Sequence, residues 1–436
     1  MKDSLLTGTR IRPAPENHLG EDVIQEARRR FMGGALMAGA AAVAAPAVAA
    51  SAASLDLPEW TRPLGPGVGP PPYGMPSRYE ANVQRRESPG LTRTKQSSVS
   101  FTPLQSLFGI VTPSGLHFER YHAGLPDIDP AAHRLAIHGL VEQPRLYTMD
   151  DLLRLPSESR FHFVECGANT AMEWGNSAVP TVQYTHGMLS CSEYTGVPLK
   201  LLLEESGYDR KLGKYLLAEG SDGAALTRTI GIDAALDDAM VVYAQNGEML
   251  RPEQGYPLRL LVPGVQGISQ VKWLRRLEVG DMPWNTREES LQYADFMPDG
   301  RYRQYTWIQE AKSVITTPSG GQVIMDKGYH QITGLAWSGR GRITRVDVST
   351  DGGRNWREAT LQAPVMSKCL TRFRCDWNWD GGPALLQSRA IDETGYVQPQ
   401  MNQLREVRGT RSIYHNNAIQ TWKVAEDGVV TNVQVS

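Results

Sequence analysis

Apolar and polar positions along the 436-residue chain fall into four regimes. Residues 1–53 are polar and charged as far as Arg28-Arg29-Arg30, then run uncharged and rich in Ala and Gly to Ala53. Residues 54–100 have no period. Pro63-Leu-Gly-Pro-Gly-Val-Gly-Pro-Pro-Pro72 supplies neither helix nor central strand, and the segment reads as an extended arm or a linker. In residues 101–305, runs at 133–139, 160–166, 215–219, 240–243, 258–262 and 271–279 predict strands. Residues 148–155 and 199–207 predict short helices, the second closed by Gly207. Short strands and helices interleaved with long loops point to an α+β domain. In residues 306–436 the signal becomes all-β. Segments 328–337, 343–349, 356–361, 371–377 and 385–392 alternate, and Asp351-Gly-Gly353 predicts a tight hairpin turn between two of them. About seven such strands predict an immunoglobulin-like sandwich, a module that more often dimerises than catalyses.

A net charge of −2 leaves no footprint for nucleic acid or an anionic membrane. The leader is more telling. Arg28-Arg29-Arg30-Phe31 precedes a weakly apolar run broken by Pro46, with small-residue cleavage sites at Ala47-Val-Ala49 and Ala50-Ser-Ala52. This has the form of a twin-arginine export signal rather than a membrane anchor. That route carries folded proteins, often ones loaded with a complex cofactor, so it predicts a periplasmic enzyme. The four cysteines, Cys166, Cys191, Cys369 and Cys375, start no C-x-x-C-H haem motif and form no zinc-like C-x-x-C pair. Cys369 and Cys375 are six strand steps apart, about 20 Å, whereas a disulfide needs Cα atoms within about 7 Å.

Cys166 is the residue to explain. It ends the alternating run Arg160-Phe-His-Phe-Val-Glu-Cys166 and opens the turn-prone Gly167-Ala168-Asn169. A thiol there suits a metal or an electrophile, and equally suits packing as a small hydrophobe. Other motifs decide between these. They are Phe118-Glu-Arg-Tyr-His122, Ile137-His-Gly-Leu-Val141, Glu165-Cys-Gly-Ala-Asn169, Tyr194-Thr-Gly-Val-Pro-Leu199, Glu219-Gly-Ser-Asp222, Gly255-Tyr-Pro-Leu-Arg259, Val271-Lys-Trp273, Asp351-Gly-Gly353 and Gly395-Tyr-Val-Gln-Pro399. In order and spacing, over roughly residues 101–425, the chain resembles the sulfite oxidase family of molybdopterin enzymes. Within it, the likeness is to the sulfur-oxidising branch of sulfane (sulfite) dehydrogenase molybdenum subunits.

The resemblance implies an α+β molybdopterin domain (101–305) followed by the all-β dimerisation domain (306–436). It implies a molybdenum–molybdopterin cofactor, with Cys166 as the metal ligand because soft sulfur suits molybdenum. It implies cofactor contacts from Phe118, Glu119, Arg120, Tyr121, His122, Asp222, Arg259, Gln270, Val271 and Lys272, and from Gln254 where the family commonly has His. Arg259 suits bidentate phosphate recognition and Lys272 a point-charge contact. Arg120 and Tyr293 stand at the positions that flank the reacting oxygen, and Arg408 at that of a substrate-pocket arginine from the C-terminal domain.

One departure bears on substrate. Members that oxidise free sulfite carry Arg-Arg after the C-x-x-N run, where this chain has Thr170-Ala171, and Tyr184 stands where they place a pocket Trp. A charge-assisted hydrogen bond is worth about 1.5–3 kcal/mol, so each missing one removes about one to two decades of anion affinity. The branch therefore implies oxidation of sulfane (persulfide) sulfur on a carrier-protein cysteine during thiosulfate oxidation, with free sulfite as the alternative. The chain has no haem motif, so its electrons pass to a partner. In this branch that is a c-type dihaem cytochrome, in a heterotetramer built on a homodimer of catalytic subunits.

Overall fold

Alternation along Arg134–Gly139 buries Leu135 and Ile137 on one face. That strand runs parallel to Leu274–Gly280, the centre of a five-stranded sheet completed by Arg145–Thr148, Tyr215–Gly220 and Thr227–Gly231. A second sheet sets Glu158–Glu165 beside Leu189–Pro198 and then Met240–Gln245, which pairs with both Glu248–Met249 and Arg259–Leu261. Leu135, Leu199, Leu216, Val241 and Leu277 belong to one core spanning the two sheets. The helix Met149–Arg154 begins on a reciprocal capping box between Thr148 and Asp151. The computed structural model describes residues 76–87, 96–177, 179–304 and 307–435. The expected export leader (1–53) and most of the expected arm (54–75 and 88–95) lie outside these residues.

The C-terminal half is two antiparallel sheets around a shared core that includes Trp337, Phe373, Leu386 and Trp422. One contains Lys312–Thr317, Gly328–Trp337, Thr371–Trp379 and Thr360–Leu361; the other contains Arg357–Glu358, Ile343–Ser349, Ala384–Asp392, Thr421–Val424 and Val430–Val433. The expected hairpin joins Ile343–Ser349 to Arg357–Glu358, with Gly352 and Gly353 at φ of +77° and +89°. The run 356–361, read as one strand, is two short strands in different sheets with buried Ala359 between them. A helix, Met401–Arg408, interrupts the all-β reading. Met401 and Leu404 face inward, but Val407 is exposed, so its apolar stripe is too short to announce itself.

Two features cross the expected boundaries. Ser98–Phe101 is a strand paired with both Arg86–Glu87 and Arg120–Tyr121, so the end of the expected arm belongs to the folded body. Leu104, Phe163, Val182, Leu189 and Cys191 lie in the C-terminal core, so the first half of the chain helps to build it, and Pro76–Ser436 forms one compact unit. All four cysteines are free. Cys369 has Cys191, not Cys375, as its neighbour, with sulfurs 3.4 Å apart. Among the described residues no helix is long and apolar enough to cross a membrane.

The two halves are also joined by a buried ion pair. Lys312 Nζ lies 2.9 Å from Glu165 Oε1, with both side chains at most 3% exposed. Trp337 Nε1 donates to the other carboxylate oxygen at 2.7 Å, and Asn169 Nδ2 donates to Oε1 at 3.0 Å. Removing one partner of such a pair leaves a bare buried charge, at a cost of about 3–5 kcal/mol. Lys312→Met and Glu165→Gln are each expected to lower stability by that order in urea unfolding. The double variant is expected to recover part of the loss; strictly additive losses would show that the pair is not coupled.

Candidate functional site

Cys166 sits one step past the end of Glu158–Glu165, its amide donating to Met188 O at 3.0 Å. The next residues turn sharply: Asn169 N returns to Cys166 O, and Thr170 adopts φ +65°. The turn puts the thiol on the floor of a cleft holding about 650 Å³ of empty space, open mouth included. Burial raises the thiol pKa, against the opposing pull of the Ala168 backbone and the Arg120 charge. Gly267 closes the floor, since a Cβ there would lie 2.9 Å from Glu165 O.

Of the residues expected to act, Phe118, Arg120, Tyr121, His122, Cys166, Asp222, Gln254, Arg259, Gln270, Val271, Lys272 and Tyr293 all line this one cleft. Arg259 and Lys272 are 13 positions apart, and an isolated antiparallel bridge sets them side by side. Arg259 is buried. Its Nη1 donates to Gln254 O at 3.1 Å and its Nη2 to Gln270 O at 3.3 Å, while Nε has no partner. Gln254 is a wedge, donating from Nε2 to Phe118 O at 3.1 Å. The Gln270 side chain is spent on the Val262 backbone at 2.6 Å, so only its main chain is open to a ligand. Lys272 Nζ donates to Glu253 O at 2.8 Å and lies 4.6 Å from the Trp273 ring centre. Burial, then the Arg259 charge, lowers its pKa to about 7. Burial likewise lowers His122 to about 4, with Arg120 the next cause.

Four positions singled out in the sequence lie elsewhere. Glu119 is absent from the cleft lining and is ion-paired with Arg85 on the side of a separate shallow cavity. Arg408 is also outside the cleft. It lies 3.3 Å from buried Asp295 and borders another cavity with Glu310 and Arg303. Tyr184 packs edge-on against Phe101, ring centres 5.4 Å apart, and does not line the cleft. Thr170 turns away too, donating from Oγ1 to Asn416 O at 2.9 Å. Sequence reasoning missed His117, Ile268 and Trp273 in the lining and Tyr414 beside it, its ring centre 4.6 Å from that of Tyr293. His117 and Trp273 adjoin runs already singled out; Tyr414 carried no local signal.

The chain matches two family models, an oxidoreductase molybdopterin binding domain over residues 122–287 and a Mo-co oxidoreductase dimerisation domain over residues 303–422. It is 31% identical over 363 residues to sulfite oxidase of Gallus gallus, covering 77% of each chain. It is 31% identical to an NADH nitrate reductase of Solanum lycopersicum over 68% of this chain, but spans only 37% of that protein's length. In three dimensions it is similar to the sulfane dehydrogenase SoxCD from Paracoccus pantotrophus. The TM-score is 0.85, with 48% identity over 87% of this chain and 98% of that one. The chain belongs to the sulfite oxidase family of molybdopterin oxidoreductases. Its matched relatives include enzymes named for sulfite and for sulfane sulfur.

The family's cofactor is molybdenum-molybdopterin, and the cleft suits it. Cys166 is the one cysteine in the cleft lining, and a lone thiolate there fits a metal whose remaining donors arrive with an organic ligand. The partnerless Arg259 Nε, the Lys272 ammonium and the Asp222 carboxylate fit a phosphate tail and a ring N–H face.

Two outcomes follow. Cys166→Ser is expected to keep the fold by circular dichroism and to lose activity, with molybdenum content measured alongside; normal turnover would remove Cys166 from the metal site. Because Lys272 loses its charge above about pH 7, sulfate, a dianion throughout, should raise the unfolding temperature of the cofactor-free protein more at pH 6.5 than at pH 8.5. Lys272→Gln should abolish that difference.

Proposed function

We propose that this protein oxidises sulfane (persulfide) sulfur carried on a cysteine of a carrier protein, as a step in thiosulfate oxidation. Its electrons pass to a c-type dihaem cytochrome. The observation that carries this reading is Thr170-Ala171 at the positions of the sulfite-binding arginines, in a chain 48% identical to a sulfane dehydrogenase across nearly all of that chain. With Thr170 turned into the domain junction and Arg408 held by Asp295, the cations left on the cleft wall are Arg120, Arg259 and Lys272. The last two are the cofactor-tail candidates, so few charges remain to capture a free dianion. A persulfide on a peptide is smaller in charge and reaches the cleft from its open mouth.

When bound, the molybdenum cofactor supplies two-electron oxygen-atom-transfer chemistry. The protein's part is positional and electrostatic. Arg120, held by hydrogen bonds to Ser97 Oγ at 3.1 Å and Tyr121 O at 2.7 Å, presents a fixed positive charge beside Cys166. Tyr293 stays protonated, since burial raises its pKa first and the Cys166 charge second. It can therefore donate a hydrogen bond to an oxygen that gains negative charge.

The leader supports export by the twin-arginine route to the periplasm, where carrier and cytochrome would be met. We read 101–305 as the catalytic domain and 306–436 as an immunoglobulin-like domain that dimerises catalytic subunits within a heterotetramer. Steady-state assays with the cytochrome as acceptor test the substrate. kcat/KM for a carrier-bound persulfide is expected to exceed that for free sulfite by at least about tenfold. The reverse order would favour a periplasmic sulfite dehydrogenase.

A further inference from the structure

The segment 409–417, which follows the helix Met401–Arg408, makes an unusual set of contacts. Three donors from this end of the chain converge on one buried carboxylate. Ser412 Oγ reaches Asp295 Oδ1 at 2.7 Å, Tyr414 N reaches Oδ1 at 3.3 Å, and Arg408 Nη1 reaches Oδ2 at 3.3 Å. Two residues before Asp295 stands Tyr293, whose ring lies against that of Tyr414. The following residues grip the other side of the site. His415 N donates to Gly167 O at 2.8 Å, and Asn416 Nδ2 donates to Thr170 O at 3.2 Å. His415 is in turn tied to Glu310 at 3.1 Å. One loop therefore touches both the turn that carries Cys166 and the segment that carries Tyr293.

The Tyr293 segment needs such support. It follows a π-helical turn, Glu288–Gln292, and leads into a two-residue strand, Asp295–Phe296, so little regular backbone fixes it. Arg228 also lies 5.5 Å from the Tyr293 ring centre and pairs with Glu289 at 3.5 Å. The Tyr293 ring thus has both Arg228 and Tyr414 against it. Burial and the nearby Cys166 thiol push the Tyr414 hydroxyl up to about 12, in keeping with a place at the edge of the cleft.

We propose that the loop 409–417 is a strut that sets the position of Tyr293 relative to Cys166, with Tyr414 as the positioning residue and Asp295 as its anchor. This deepens the reading of Tyr293 as a residue at the reacting centre and rests on it. Tyr414 acts through Tyr293, by fixing its ring, and not by contact with substrate. A loop of the C-terminal half then completes an active site otherwise built from the other half of the chain.

Four variants of the cofactor-loaded enzyme test this: Tyr414→Ala, Tyr414→Phe, Asp295→Asn and Ser412→Ala. Hydrogen exchange is read on peptides covering 286–297 and 164–171, and kcat and KM are measured with free sulfite and with a carrier persulfide. Tyr414→Ala is expected to speed exchange in 286–297 and to lower kcat about tenfold or more, with a smaller change in KM. Tyr414→Phe, which keeps the ring, should rescue both. In a Tyr293→Phe background, Tyr414→Ala should cost little more, since its effect runs through Tyr293. If Tyr414→Ala compromises folding, Asp295→Asn and Ser412→Ala loosen the anchor without touching the ring, and should raise exchange in 286–297 in that order. Unchanged exchange with a stable fold, failure of Tyr414→Phe to rescue, or additive losses in the Tyr293→Phe background would each overturn the strut. Exchange does not depend on substrate, so a wrong sulfur substrate would leave this result standing.

Discussion

Glu165 is buried one residue before Cys166, and a carboxylate there is tolerable only because Lys312 meets it. The pair spans the two halves of the chain, since Glu165 ends a strand of the molybdopterin domain and Lys312 begins a strand of the C-terminal sheets. Removing charges from water is costly, and the cost is offset only when every lone pair and proton finds a partner. Here Trp337, Asn169 and Thr170 supply the remaining contacts. The arrangement therefore has one good geometry, and that geometry fixes the turn on which the thiol stands.

The C-terminal half is thereby more than a surface for association. Trp337 lies in its core and also hydrogen-bonds the residue next to Cys166. Lys312 reaches Thr170, and Asn416 exchanges hydrogen bonds with the same threonine. In this chain it serves the junction between halves, bonded to both Lys312 and Asn416.

The cleft concentrates positive charge on a wall that buries it. Arg259 and Lys272 come together on adjacent segments, and both have pKa values lowered chiefly by burial. Two such cations side by side repel each other, and a phosphate bound between them would offset that repulsion. The partnerless Arg259 Nε belongs to the same picture. The site is shaped for a ligand that brings negative charge with it.

Much of this was legible in the sequence because it depends on local pattern. Strands such as Gly328–Trp337 and Ile343–Ser349 announce themselves by alternation, and the capping box at Thr148 and Asp151 by residue type. Cys166, Arg120, Arg259 and Lys272 were readable because each sits in a motif with its own spacing, whereas Tyr293 was matched across a variable loop outside those motifs. What tertiary structure alone decided is which distant side chains meet. Arg408 had the right chemistry for the cleft, yet the path of the chain commits it to Asp295 and delivers Tyr414 instead. Glu119 adjoins Arg120 but is ion-paired with Arg85 outside the cleft. Lys312 carries no local sign that it will meet Glu165, 147 positions earlier. Periodicity reports which face of an element is buried, but not what is buried against it; that depends on packing between segments far apart in sequence.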